Sequence, residues 1–319
     1  GVVHAAAVRA ADQETLHMVD ASLPAVSQPP LSSLVQIPGQ HNQCVSMPER
    51  VQVSQRNTPA LFGDKLIDEI PERFIVANAR AEKIKWGMPK DRSLDVPVGR
   101  ALRLPNGRIG RFGWKAQAAS LSDFVQAACA NELGLGNPGQ AQPTPLGQPY
   151  YKAPGLDLTL EQCDQITSFV ASLPRPEERM PDDPVVRDQA EAGKKLFSTV
   201  GCADCHKANV GSVEGIYSDL LLHSMGRELQ ASGSYNQPPQ RNPDGEPPDD
   251  VPAADEWRTP PLWGVADSAP YMHDGRAATL EQAIEAHGGQ GTHAASQFTK
   301  LSPNAKTQLV AFLKTLRAR

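Results

Sequence analysis

Cys202-Ala203-Asp204-Cys205-His206 is the stretch on which the reading of this chain turns. Its two thiols lie about one helical turn apart and a histidine follows at once. This is the spacing of c-type haem attachment, in which the thiols add to the haem vinyl groups and the histidine binds the iron as proximal ligand. A thioredoxin-like CxxC needs a βαβ context, and a zinc site needs a second CxxC or a histidine pair; the surrounding sequence offers neither. A sixth iron ligand must come from downstream. The candidates are His287 at a helix end before Gly288-Gly289, Met272 and His273 in APYMHDG, His223 and Met225 in LLLHSMG, and His293 in a polar stretch. His287 also reads as a plain C-terminal helix cation stabilised by the dipole.

Outward from the motif, composition bounds the rest. The 319 residues carry 31 Lys+Arg against 36 Asp+Glu, a formal net charge of −5, with 39% hydrophobic and 5% aromatic residues. That length suggests about two domains. The acidic balance argues against a nucleic-acid partner, and no stretch approaches the ~18 apolar residues of a membrane span. With 25 Gly and 29 Pro and no alternating strand pattern, the prediction is a mostly α fold with long loops. The chain starts at Gly1, and its first residues are too short and polar for a complete signal peptide. It is therefore expected to be mature or to lack an upstream segment.

Residues 1–55 read as an extended arm. Helices are predicted from Pro71 to about Ala81 and over 123–132 behind Ser122. The Thr159/Gln162 capping box opens a further helix to about Leu173, and Asp183-Pro184 opens one to about residue 198. Thr279/Gln282 opens another ending at Gly288-Gly289, and Ser302-Pro303 a last one that places Leu309, Leu313 and Leu316 on one face. Prolines 174–184 make a stiff linker, and the acidic, proline-rich 236–256 a solvated insertion.

The chain also repeats itself. TPALFG (58–63) matches TPPLWG (259–264), and AASLSDFVQA (118–127) matches AATLEQAIEA (277–286) at an offset of 159. Repeated blocks in the same order signal a duplicated unit. The predicted division is an arm at 1–55, a first domain at 56–175 without a haem motif, and a second at 184–319 with one. At the 159 offset, Trp114 falls opposite His273.

RTPPLWG…APYMHDGRAATLEQAIEAHGG following CxxCH resembles the C-terminal haem domain of bacterial di-haem cytochrome c peroxidases. NTPALFG, GRFGWKAQ, LLLHSMG, EWRTPPLWG, HDGRA and HGG, occurring in order over about residues 50–319, are similar to the di-haem oxidoreductase (thiol oxidoreductase-like) branch of that superfamily. The resemblance implies two cytochrome c-like domains. It implies a sixth ligand 14 residues after the HDG histidine, usually Met in the peroxidases; here that place is His287, so the haem reads as bis-His. It sets Arg258, Pro260, Leu262, Met272 and His273 against the haem and proposes Trp114 as an electron relay between haems. It implies a calcium ion between the domains, and Asn57, Thr259 and Pro261 match its ligand places. One departure matters: the family carries a second, N-terminal CxxCH, and this sequence has one only. The peroxide-binding haem would then lie on an upstream segment or another chain.

Haem c is attached outside the cytoplasm, so a periplasmic location is expected and disulfides are permitted. Cys129 and Cys163 are expected to pair, leaving Cys44 over. Three readings follow: an electron carrier or the electron-entry part of a di-haem oxidoreductase, served by a redox protein or small donor; a complete peroxidase-like enzyme; and a structural or assembly subunit.

Overall fold

Helices carry the fold of the described residues, which are 56–87, 96–143, 150–231 and 250–318, together with the backbone of β1 (Leu34–Gln36) and β2 (Cys44–Ser46), an antiparallel pair, in a computed structural model. The helices are α1 (Asp64–Asp68), α2 (Glu72–Trp86), α3 (Leu121–Leu133), α4 (Leu160–Ser172), α5 (Pro184–Thr199), α6 (Leu280–Glu285), α7 (Thr292–Lys300) and α8 (Pro303–Leu313). The strands are only two or three residues long: β3 (Glu177–Glu178), β4 (Asn209–Val210), β5 (Val213–Glu214), β6 (Leu222–Ser224), β7 (Glu256–Arg258) and β8 (Leu316–Arg317). All pair antiparallel, as β3–β8, β4–β5 and β6–β7. The fold is mostly α. Among the described residues no helix is long and apolar enough to cross a membrane.

Contacts group residues 122–166 into one compact unit and 56–121, 167–231 and 250–318 into another. In the first, the predicted capping box forms reciprocally: the Thr159 N–H donates to Gln162 Oε1 (2.9 Å) and the Gln162 N–H to Thr159 Oγ1 (3.2 Å). The buried stripe of α4 runs through Cys163 and Val170, while Leu160 and Phe169 are exposed. Cys129 and Cys163, expected to pair, are both buried, and burial raises the thiol pKa of each.

The second unit is organised by α5 against α8. Asp183 caps α5 by accepting from the Val185 N–H at 2.8 Å, with Pro184 at the first helical position as predicted. Gly193 lets the helices meet, since a Cβ there would overlap the Gln308 carbonyl. Phe197, Tyr217 and Phe312 pack edge to face, with centroids 5.4–5.8 Å apart. Leu309, Leu313 and Leu316 share this core, but Leu316 lies in β8, not on the helix. The proline linker likewise contains β3, held by β8. Of the predicted insertion, 250–256 is built into the fold: Glu256 is buried and pairs with Arg100 at 2.7 Å, and Lys115 donates to the carbonyls of Ala253, Ala254 and Glu256.

The repeat has a structural counterpart. Phe112 bridges Ala118, and Tyr271 bridges Ala277 at the same 159-residue offset. Positive φ recurs at Gly113 and Met272 (77° and 73°) and at Ala116 and Gly275 (54° and 73°). Gly63 and Gly264, which end the TP blocks, share φ near 73°. The two segments also bond crosswise: the Asn57 N–H donates to the His273 carbonyl (2.7 Å), and the Arg258 N–H to the Trp114 carbonyl (2.9 Å).

Candidate haem site

The attachment loop follows directly from α5. Val200 closes the helix, Gly201 turns at φ 96°, and Cys202–Asp204 form one 3₁₀ turn, so that the His206 N–H reaches the Cys202 carbonyl at 2.9 Å. Burial pushes the Cys202 thiol up to about 12 and raises Cys205 as well. His206 Nδ1 lies 2.9 Å from the Tyr217 carbonyl. A carbonyl only accepts, so Nδ1 carries the proton and Nε2 keeps its lone pair.

His287 follows the last turn of α6 and is fixed in the same way, its Nδ1 donating to the Ala283 carbonyl at 2.7 Å. The two rings approach each other with centroids 6.5 Å apart and planes at 66°. A metal–imidazole bond is about 2 Å long and the ring centre lies roughly 1 Å beyond the nitrogen, so two axial imidazoles on one ion stand roughly 6 Å apart. The observed pair fits. Burial, then the neighbouring His287, lowers His206 to about 4, and burial lowers His287. Both are thus neutral, as metal ligands must be.

The rings open into a cavity of about 410 Å³ lined by residues that include Trp114, Arg258, Pro260, Leu262, Met272 and His273. Every cofactor contact implied by the resemblance is therefore on its wall. Arg258 is buried, donates from Nε to the Gly113 carbonyl at 2.8 Å, and leaves Nη1 with no hydrogen-bond partner among the described residues. An orphaned buried guanidinium nitrogen costs stability unless an anion meets it, and the carboxylates of a haem would supply one. On axial pair, attachment loop and orphaned cation, the residues fit the group.

The other predicted residues divide. His273 stacks on Trp257 at 3.7 Å and meets Trp114 edge-on at 6.5 Å; burial drives it down to about 3. Trp114 Nε1 donates to the Asn57 carbonyl at 2.7 Å. Of the calcium candidates, Asn57 donates its amide to the Pro270 carbonyl (2.6 Å), and the Thr259 carbonyl accepts from Ser218 Oγ (2.7 Å). Both spend polar atoms on the fold; Pro261 lies on the cavity wall. His223 has both ring nitrogens engaged by Asp219 and Gln290, which removes it from the sixth-ligand candidates. Sequence reasoning missed Asp219, Gln290 and the orienting carbonyls of Tyr217 and Ala283. Only Ala283, four residues before His287 on one helix face, left a readable signal.

A mostly helical chain with a CxxCH loop on a largely apolar cavity and two adjacent buried imidazoles has the make-up of a haem redox protein. Residues 39–316 match the family described as "Di-haem oxidoreductase, putative peroxidase", and the chain belongs to that family. It is 28% identical over 160 residues to cytochrome-c peroxidase IdrP1 of Denitromonas iodatirespirans, covering 42% of each chain. It is 32% identical over 133 residues to the cytochrome c551 peroxidase of Nitrosomonas europaea, covering 41% of this chain and 34% of that one. To the methylamine utilization protein MauG of Methylorubrum extorquens it is 29% identical over 145 residues, covering 43% and 37%. The match spans less than half the length of each relative.

Proposed function

We propose that this chain transfers electrons through one covalent haem c, held by thioethers to Cys202 and Cys205 and by His206 and His287 as axial ligands. The single observation that carries this reading is the close imidazole pair, centroids 6.5 Å apart, each ring pinned through Nδ1 to a backbone carbonyl. When bound, the haem supplies one-electron exchange between its ferric and ferrous states. The protein's part is to fix both rings, exclude water with the α5–α8 core, and meet the haem carboxylates with Arg258. Were His206 and His287 both to bind the iron, the site would leave no position for peroxide. The reduction potential is expected below that of a His/Met haem. Trp114 is proposed as the relay out of the site, the 56–175 and 184–319 segments as two copies of one cytochrome c-like domain, Asn57, Thr259 and Pro261 as a calcium site, and the periplasm as the location, with a redox protein or small reductant as partner.

The test is optical. Purified protein is expected to show a low-spin spectrum without the near-infrared band of a Met–iron bond. His287→Ala is expected to become high-spin and bind CO or cyanide. An unaltered spectrum in that variant would remove His287 from the site.

A second reading is favoured by the family, which is di-haem: a peroxidase-type enzyme whose peroxide-binding haem is supplied by another segment or chain. Intact mass of the native protein decides it. One haem per chain with no peroxide turnover supports electron transfer alone; two haems, or a second haem-bearing chain with turnover, supports the enzyme.

A further inference from the structure

His223 is the residue of the LLLHSMG motif that the proposed function leaves unused. It is 3% exposed, and both of its ring nitrogens face acceptors. Nε2 lies 2.9 Å from Asp219 Oδ2 and Nδ1 lies 2.7 Å from Gln290 Oε1. The Gln290 amide cannot simply be turned round, because its Nε2 donates to the Val98 carbonyl at 3.2 Å. Asp219 is fully buried and receives the Leu221 N–H on its other oxygen at 2.8 Å. A carboxylate sealed from water needs a cation beside it, and an imidazole between two acceptors needs a proton on each nitrogen.

The ring cannot slide out of this clamp. A Cβ at Gly99 would come within 2.6 Å of Nε2, so the backbone of residue 99 closes directly over it. His223 lies on the wall of the haem cavity and Asp219 does not. Its Nδ1 stands 3.7 Å from Cys205 Sγ. The dipole of the pair therefore presents its positive end to the cavity.

We infer that His223 is a permanent imidazolium, clamped by Asp219 and Gln290, whose charge beside Cys205 raises the reduction potential of the haem. This rests on the haem reading above. Among the described residues, the other ionisable groups interacting with the ring are His206 and Cys205 in the CxxCH loop and Glu82 of α2, which itself pairs with Lys207 at 2.9 Å. Cys205 becomes a neutral thioether on haem attachment, which leaves Asp219 as the counter-ion. Burial opposes both charges; against it Asp219 raises His223, and His223 holds Asp219 below its ordinary value. A positive charge near the iron opposes the ferric state more than the ferrous one.

The test combines a potential with a protonation state. In wild-type protein labelled with ¹⁵N-histidine, the His223 ring is expected to show two protonated nitrogens at pH 8. In Asp219→Asn the second proton is expected to be lost at that pH. In His223→Gln the low-spin spectrum is expected to persist, while equilibrium with a fixed mediator dye shifts at least about threefold toward the ferric form. A neutral wild-type ring, with the shared proton on Asp219, overturns the inference. So does a His223→Gln protein with wild-type spectrum and wild-type equilibrium. A wild-type spectrum that is not low-spin is a different failure, that of the haem reading. Should His223→Gln not fold, the wild-type and Asp219→Asn resonances still decide.

Discussion

Asp64 begins α1 with its carboxyl buried on the wall of the cavity that holds His206 and His287. Burial pushes it up to about 7, Arg258 pulls it down and Asp68 pushes it further up. The folded pKa lies above the unfolded one, so between about pH 4 and 7 the folded state keeps a proton that the unfolded chain releases. The stabilising contribution is complete below pH 4 and lost as pH rises through 7. Asp64→Asn is accordingly expected to match wild type at pH 4 and to exceed its stability by about 2–4 kcal/mol at pH 8. Urea unfolding at the two pH values checks this; an equal difference at both would show that ionisation of Asp64 carries no cost. Legibility at this scale followed the kind of signal. Cys202, Cys205, His206 and His287, which line one cavity, stood out in the sequence because attachment chemistry demands a local spacing and the HDG motif of the resemblance fixes a count. His223 stood in the sequence as one ligand candidate among several. Its clamp depends on Gln290, 67 residues away, and no local pattern announces such a pair.

Helix starts were written in the chain because caps are local. Asp183 and Ser302 each accept from the N–H two or three residues on, as their positions before Pro184 and Pro303 predict. Asp183→Ala is expected to cost about 1 kcal/mol, read as a shift in the urea midpoint at unchanged slope. What stayed hidden needs a distant partner: β3 inside the proline linker, and the anchoring of 250–256 by Arg100 and Lys115. Gly193 shows how packing overrides local preference. Alanine is a better helix former by about 1 kcal/mol. Here, however, its Cβ would overlap the Gln308 carbonyl, and overpacking of that kind costs about 1–3 kcal/mol or more because backbone must move. The clash should win. Gly193→Ala is expected to lower the melting temperature by several degrees, and a rise would show that α5 and α8 have room to part.

Across the whole chain, the two related segments are joined by exchange rather than by simple adjacency. Asn57 gives its N–H to His273, and Arg258 gives its own to Trp114, the residues being equivalent under the repeat offsets. This crossing puts Trp114 and His273 against each other at the cavity. It also means that segments far apart in sequence close one core around a space of about 410 Å³. Without an occupant, its largely apolar wall would face solvent, at a cost of about 25 cal/mol for each Å² of apolar surface kept exposed. The haem is thus expected to be part of the core, and its covalent attachment part of folding. Replacing Cys202 and Cys205 together by serine is expected to broaden the thermal transition and to bring hydrogen exchange of α5 and α8 amides near that of the unfolded chain. A double variant that melts cooperatively within a few degrees of wild type, with α5 and α8 still protected, would show that the walls close on themselves and that the haem is carried by a core already complete.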